Sequence, residues 1–268
     1  MSLLEVRNVS FGYDSQDLFH NVGFRVNPGE ILCLIGPNGC GKTTLLDCLL
    51  GALKAREGSI FLRGKDISAL RPSEIAKHIA YVPQDHEKSF PYSVMDIVLM
   101  GRTPYTGMFS SPSFEDRHIA EAALDLLGLN TLKERPYTQL SGGEGQLVML
   151  ARALAQKTSV IVMDEPTAHL DFKHELLIME TMVQLVRETG LSIIMATHFP
   201  NHAFYFESNN IATTVALMNK KTLTAVGSPT DILSEENIKS IYNIKAKVIS
   251  CEVGDKKLKQ IIPLNTLL

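Results

Sequence analysis

The chain has 268 residues, 45% of them apolar, enough to bury a sizeable core as one large domain or as one domain with an insertion. No apolar run approaches the ~18 residues of a membrane span, and Met1-Ser2-Leu3-Leu4-Glu5 lacks the basic and apolar regions of a signal peptide, so a membrane role is expected to come through a partner. The net charge of −3 supplies no broad basic field and disfavours a protein that grips nucleic acid through its phosphates, while four cysteines without a CxxC pairing fit a reducing cytoplasm better than a disulfide framework or zinc site.

Residues 2–10 and 18–26 read as short strands, with Phe11-Gly12-Tyr13 in a turn-rich stretch between them. Pro28-Gly29-Glu30 marks a turn into a strand at 30–35, followed by a Gly-rich loop and a helix over 42–50 that Gly51 can end. A strand at 58–62, a short helix at 72–77 and a strand at 79–82 come next, the last ending at Pro83-Gln84. From Asp85 to Gln156 the pattern turns helical, with segments at 93–100, 114–127 and 145–156 around a Gly, Pro and Ser-rich interval at 101–113. Strand and helix then alternate: strand 159–163, helix 172–188, strand 191–196. Such alternation implies a buried parallel sheet. A short helix at 201–206, a hairpin of strands 211–218 and 222–226 about Asn219-Lys220-Lys221, and a helical region at 230–242 complete the pattern. From Lys245 onward the pattern is least readable.

Two stretches carry chemistry on their own residues. Gly36-Pro37-Asn38-Gly39-Cys40-Gly41-Lys42-Thr43-Thr44 lies between an apolar strand and a helical pattern. Its glycines let backbone N–H groups turn inward toward phosphate, at the positive end of the helix dipole. Lys42 is then expected to reach the β- and γ-phosphates, and Thr43 to offer its hydroxyl to Mg²⁺. In the second stretch, Val160-Ile161-Val162-Met163-Asp164-Glu165, an apolar strand ends in two acids. Beside a phosphate cradle, Asp164 is suited to hold Mg²⁺ and Glu165 to polarise a water against the γ-phosphate; the alternative is a turn cap and a solvated acid.

A third stretch, Leu140-Ser141-Gly142-Gly143-Glu144-Gly145-Gln146, resembles the LSGGQ-like signature of the nucleotide-binding subunits of ABC transporters. Ser141 also reads as a helix N-cap with Glu144 completing a capping box, and the two roles are compatible. The resemblance covers nearly the whole chain, with the motifs in family order. It implies an α/β P-loop NTPase core with a mostly parallel sheet, an N-terminal antiparallel β part and an inserted α-helical subdomain. The expected division is 1–84 plus 157–245 as ATP-binding core, 85–156 as the insertion with the signature, and 246–268 as a C-terminal tail packed on the core.

By the same resemblance Tyr13 would stack on adenine, Gln84 would sense Mg²⁺ and the attacking water, His198 would contact the γ-phosphate, and Asp171 would lie in a loop crossing between subunits. Glu165, His198, Lys42 and Gln84 form the expected catalytic set. Residues 36–44, Tyr13, Ser141, Gly142, Gly143 and Asp171 would bind ATP, and Thr43, Gln84 and Asp164 would attend Mg²⁺. With one cradle and one signature per chain, the implied assembly is a head-to-tail homodimer sandwiching two ATP molecules. The sequence departs from many relatives in having Gly145 and Leu147 where they carry arginine, and Phe199-Pro200 where an aspartate follows the histidine.

Tyr92-Ser93-Val94-Met95-Asp96-Ile97-Val98-Leu99-Met100-Gly101-Arg102-Thr103-Pro104 resembles the region that receives permease coupling helices in importers of iron–siderophore, haem and vitamin B12. The implied role is the ATPase of a binding-protein-dependent importer for a metal chelate, at the cytoplasmic face of the membrane. Its partners would be two transmembrane permease subunits and, indirectly, a periplasmic or extracellular binding protein. The His198-Phe199-Pro200-Asn201 stretch also resembles a branch importing molybdate or tungstate. A soluble ABC ATPase in macromolecular assembly or repair is the alternative of a different class.

Overall fold

The computed structural model describes residues 2–14, 16–84, 90–106, 111–254 and 256–267. The start of the expected helical insertion at Asp85 and part of the interval 101–113 lie outside the described residues. In chain order the elements are β1 (Leu4–Tyr13), β2 (Gln16–Val26), β3 (Ile31–Ile35), α1 (Lys42–Leu49), β4 (Glu57–Leu62), β5 (Lys65–Asp66), α2 (Pro72–Ile75), β6 (Ile79–Val82), α3 (Val94–Leu99), α4 (Phe114–Leu126), α5 (Gly142–Ala155) and β7 (Val160–Asp164). They continue as α6 (Phe172–Thr189), β8 (Ser192–Thr197), α7 (Asn201–Ser208), β9 (Thr213–Asn219), β10 (Thr222–Gly227), α8 (Pro229–Ile232), α9 (Glu235–Tyr242), β11 (Ile244–Val253) and β12 (Lys256–Thr266). The chain forms two compact units, Met1–Leu70 with Val183–Leu268, and Arg71–Met182. The fold is α/β, with a mostly parallel sheet and a separate antiparallel N-terminal sheet.

In the first unit, β3 is buried at every position and pairs in parallel with β8 on one side and β9 on the other. An uninterrupted Ile-Leu-Cys-Leu-Ile run suits this position, since a strand covered on both faces has no polar side to show. The N-terminal strands form a separate antiparallel sheet in the order β2-β1-β4-β5. Here the sequence reading falls short: Phe11-Gly12-Tyr13 belongs to β1, because pairing continues through Gly12 with Asp17 and Tyr13 with Gln16 across a register shift. A bulge adds residues without ending the ladder, and it hides the period of two on which the sequence reading relied. The C-terminal region is also structured. β11 and β12 form an antiparallel hairpin whose residues are mostly exposed, so no alternation of apolar and polar positions announces it.

In the second unit, β6 and β7 pair in parallel, and α5 packs against α3 and α4. The Gly-Arg-Thr-Pro ending of α3 has a structural role. A Cβ on Gly101 would lie 2.1 Å from the Arg152 carbonyl oxygen, so only glycine lets this turn lie against α5. The buried Arg102 donates from Nε to Asp116 Oδ1 at 2.9 Å and from Nη1 to the Ala155 carbonyl at 2.8 Å. One guanidinium thereby ties the start of α4 to the end of α5. The hydrogen bond from Arg102, helped by those from Ser113, holds the Asp116 carboxyl down to about 2 from its ordinary 3.8.

A carboxyl with a depressed folded-state value adds stability above its unfolded value and loses it as pH falls toward the folded one. Asp116→Asn is therefore expected to lower the unfolding midpoint by a constant amount above about pH 5. The gap from wild type should narrow between about pH 4 and 2, which a thermal melt series across pH will read.

Candidate nucleotide site

Two strand registers organise the candidate residues, one in each unit. In the first unit Ile35 of β3 pairs with Thr197 of β8, so the Gly-rich loop and the His198 loop leave neighbouring strands at the same level. In the second unit Val82 of β6 pairs with Met163 of β7, so Pro83-Gln84 and Asp164-Glu165 leave neighbouring strands together. Parallel strands place their functional loops at their carboxyl ends in this way.

The cradle fits a polyphosphate on its own geometry. Gly41 caps α1 at φ +103°, a conformation side chains resist, and as a glycine it offers no capping side chain to the first turn of the helix. No acid stands in that turn either, so its N–H groups and the positive dipole end suit an anion. At the opposite end of the loop a Cβ on Gly36 would lie 2.4 Å from the Met218 carbonyl oxygen, so this glycine lets the loop pass against β9. Lys42 is only 6% exposed, and its Nζ donates to the carbonyls of Gly36 (2.9 Å) and Pro37 (3.3 Å). Burying an ammonium is costly, and a phosphate bound at this point would offset that cost. Pro37, Asn38, Gly39 and Cys40 form the loop between, and the Thr43 side chain is exposed beside half-buried Thr44. Tyr13 is 58% exposed at the end of β1, its ring edge-on to Phe11 at 5.1 Å, an accessible aromatic surface.

In the second unit Asp164 and Glu165 are both buried, at 2% and 7% exposure. Glu165 has φ +47°, in the left-handed region that costs a non-glycine residue about 1 kcal/mol or more. The turn that follows is closed by Ala168 N–H to the Glu165 carbonyl at 2.9 Å. Gln84 is exposed directly after β6. Among the described residues no group of three or more His, Cys, Asp and Glu gathers as a metal cage.

The signature segment behaves as a cap. Ser141 Oγ accepts the Glu144 N–H at 3.3 Å and donates to Glu144 Oε2 at 2.9 Å, while that oxygen also accepts the Ser141 N–H at 2.8 Å. These bonds hold the Glu144 carboxyl below its usual value. They also start α5 at Gly142, three residues before the sequence pattern suggested, because a capping box outweighs the poor helix propensity of two glycines. Gly145 and Leu147, the departures from arginine, are both buried, and the Tyr137 hydroxyl donates to the Gly145 carbonyl at 3.4 Å.

His174 was not foreseen from the sequence. Asp171 caps α6 by accepting the His174 N–H at 2.9 Å, and its Oδ1 contacts His174 Nδ1 at 2.8 Å. The imidazole lies over Gly143, where a Cβ would meet its Cδ2 at 2.2 Å and its Cγ at 2.4 Å. One ring thus touches both the signature turn and the Asp171 loop, a link that spans 31 positions of sequence and left no local pattern. Gly143→Ala must displace the ring, and an overpacking penalty of about 1–3 kcal/mol is expected in chemical unfolding. His174→Ala in the same chain should recover part of that loss.

A loop with these features, opening a helix beside a parallel strand, defines a nucleotide-binding α/β protein of the P-loop kind. The comparisons with known proteins give the family. The family model described as ABC transporter matches residues 19–168. The molybdate import ATP-binding protein MolC of Haemophilus influenzae is 34% identical over 97% of this chain and 96% of its own length. The iron(3+)-hydroxamate import ATP-binding protein FhuC of Bacillus subtilis is 34% identical over 93% of this chain and 91% of its own. A solved structure described as an inward-facing metal-chelate type ABC transporter superposes with a TM-score of 0.86 at 33% identity, covering 98% of each chain. The chain belongs to the ABC transporter family, as one of its ATP-binding proteins, which hydrolyse ATP to power transport.

Proposed function

We propose that this chain is the ATPase subunit of an importer for a metal chelate, working as a head-to-tail homodimer on two permease subunits. The observation that supports the ATPase part of this reading is the pair of strand registers: the glycine cradle with buried Lys42 and the His198 loop follow neighbouring strands in one unit, and the two buried acids and Gln84 follow neighbouring strands in the other. In this reading the ATP-binding core takes 1–84 plus 157–245, the helical insertion takes 85–156, and 246–268 packs on the core.

Residues 36–44 hold the phosphates, Tyr13 stacks on the base, and Lys42 answers the charge of the β- and γ-phosphates. Glu165 accepts the proton of the attacking water, Gln84 orients that water, and His198 steadies the γ-phosphate. Thr43, Asp164 and Gln84 suit Mg²⁺, which supplies charge neutralisation across the phosphates. Ser141, Gly142 and Gly143 of a second copy close the site, with Asp171 at the crossing between copies.

No helix among the described residues is long and apolar enough to cross a membrane, so in this reading the protein binds peripherally to the cytoplasmic face. The permease would rest on the segment around α3, where Tyr92, Met100 and Tyr105 are exposed while Val94, Met95, Val98 and Leu99 face inward. A binding protein outside the membrane would deliver the cargo. Molybdate or tungstate is the second reading, favoured by the nearly full-length likeness to the molybdate relative.

Co-expression with a candidate permease and reconstitution in vesicles tests both. Uptake of ferric hydroxamate, haem or cobalamin that requires MgATP supports the chelate reading, and uptake of molybdate alone selects the second. Isolation of a stable complex without any membrane partner would contradict both readings.

A further inference from the structure

The loop that carries His198 is held from the C-terminal end of the chain. Tyr242, the last residue of α9, donates its hydroxyl to the His198 carbonyl oxygen at 3.1 Å. Three positions along the loop, Asn201 makes a reciprocal pair with the backbone of Ile261 in β12. Its Nδ2 donates to the Ile261 carbonyl at 3.2 Å, and its Oδ1 accepts the Ile261 N–H at 2.8 Å. Ile261 is buried, and α7, which Asn201 opens, packs along β12. Between these anchors, Thr197 Oγ1 accepts the Phe199 N–H at 3.0 Å, and the Phe199 ring lies 3.9 Å from the imidazole of His198 and 5.4 Å from that of His202.

The segment 198–201 is thus fixed at its first residue by α9 and at its last by the hairpin. Ring contact with Phe199 and anchoring of the backbone at both ends orient this segment. A carbonyl held by a hydroxyl limits the tilt of its peptide plane, which narrows the directions open to the His198 Cα–Cβ bond. A misplacement of about 1 Å near a reacting group can lower turnover by up to ~100-fold.

We propose that Tyr242 and Asn201 are positioning residues for ATP hydrolysis, through which α9 and the β11–β12 hairpin clamp His198. This rests on the reading of His198 as a γ-phosphate contact. The clamp acts on the chemical step and leaves the cradle, and hence ATP binding, unchanged.

The test compares steady-state ATP hydrolysis and thermal unfolding of the full chain as wild type, Tyr242→Phe, Asn201→Ala, His198→Ala and Asp116→Asn. Asp116→Asn, expected above to lower the unfolding midpoint, breaks the Arg102 pair in the other unit and alters neither α9 nor the hairpin. Tyr242→Phe removes one oxygen and keeps the ring. It should lower kcat by about 3- to 10-fold, the scale of one hydrogen bond, with KM for ATP within about two-fold of wild type. Asn201→Ala should do at least as much, and Asp116→Asn should lower the unfolding temperature with kcat unchanged. Wild-type kcat in Tyr242→Phe and Asn201→Ala beside an impaired His198→Ala would overturn the clamp alone. A parallel rise in KM, or an equal loss of kcat in Asp116→Asn, would also overturn it as mere loosening of the fold. Full turnover in His198→Ala would overturn the reading of His198 itself.

Discussion

Glu165→Gln is expected to lower kcat for ATP hydrolysis by about 10³-fold, within the 10²–10⁴ that a positioned general base contributes, and to leave ATP affinity within about two-fold. Glutamine keeps the length and the hydrogen-bonding oxygen of the side chain but cannot accept the proton of the attacking water. The position favours such a role: β7 is buried throughout, its last residue Asp164 and then Glu165 remain buried, and the backbone of Glu165 is held at φ +47°. Positive φ also occurs at plain turns such as Lys220-Lys221, so the weight here rests on the burial of two adjacent acids at the end of an apolar strand. Single-turnover hydrolysis and equilibrium nucleotide binding on the same preparation separate chemistry from affinity. Unchanged turnover would remove Glu165 from the base role.

Lys42→Met should weaken ATP binding by roughly 10- to 100-fold while the chain stays folded. Hydrogen bonds between a charged group and its partner are worth about 1.5–3 kcal/mol, and each 1.4 kcal/mol is tenfold in affinity. Methionine matches the stem of the lysine and suits a position only 6% exposed, so the substitution removes charge and leaves packing largely in place. Calorimetric titration with ATP and with adenosine distinguishes the outcomes, since adenosine lacks the phosphates that Lys42 addresses. An equal loss for both ligands would mean that the loop had collapsed, and no loss for ATP would remove Lys42 from phosphate binding.

The central elements were legible because their patterns are local. β3 is an unbroken apolar run and β7 is one up to its last residue, α1 starts where the glycines end, and Lys220 and Lys221 turn the β9–β10 hairpin at φ +45° and +69°. Boundaries failed where a local rule met a competing one: the bulged end of β1 at Phe11–Tyr13, and the early start of α5, where the Ser141–Glu144 box overrides two glycines. The C-terminal hairpin escaped because most of its residues are exposed and its ladder is satisfied by its own partner strand.

For the site, the order of the motifs made the candidate residues readable, but their support was not. His174 over Gly143, Tyr242 on the His198 carbonyl and Asn201 on Ile261 are each long-range in sequence or set by ring placement. One local signal for His174 existed: Asp171 three residues before it on a helix start is a cap pattern. That pattern shows where the helix begins and does not reveal which glycine the ring covers.

In the proposed function one chain holds half of each of two sites. Sedimentation velocity of the Glu165→Gln protein with and without MgATP, with bound nucleotide counted in each species, is the decisive measurement. A monomer is expected without nucleotide and a dimer carrying two ATP molecules with it, and Ser141→Arg should abolish the dimer while each chain still binds ATP. Saturation with ATP in a species that stays monomeric, or a dimer indifferent to Ser141→Arg, would contradict it.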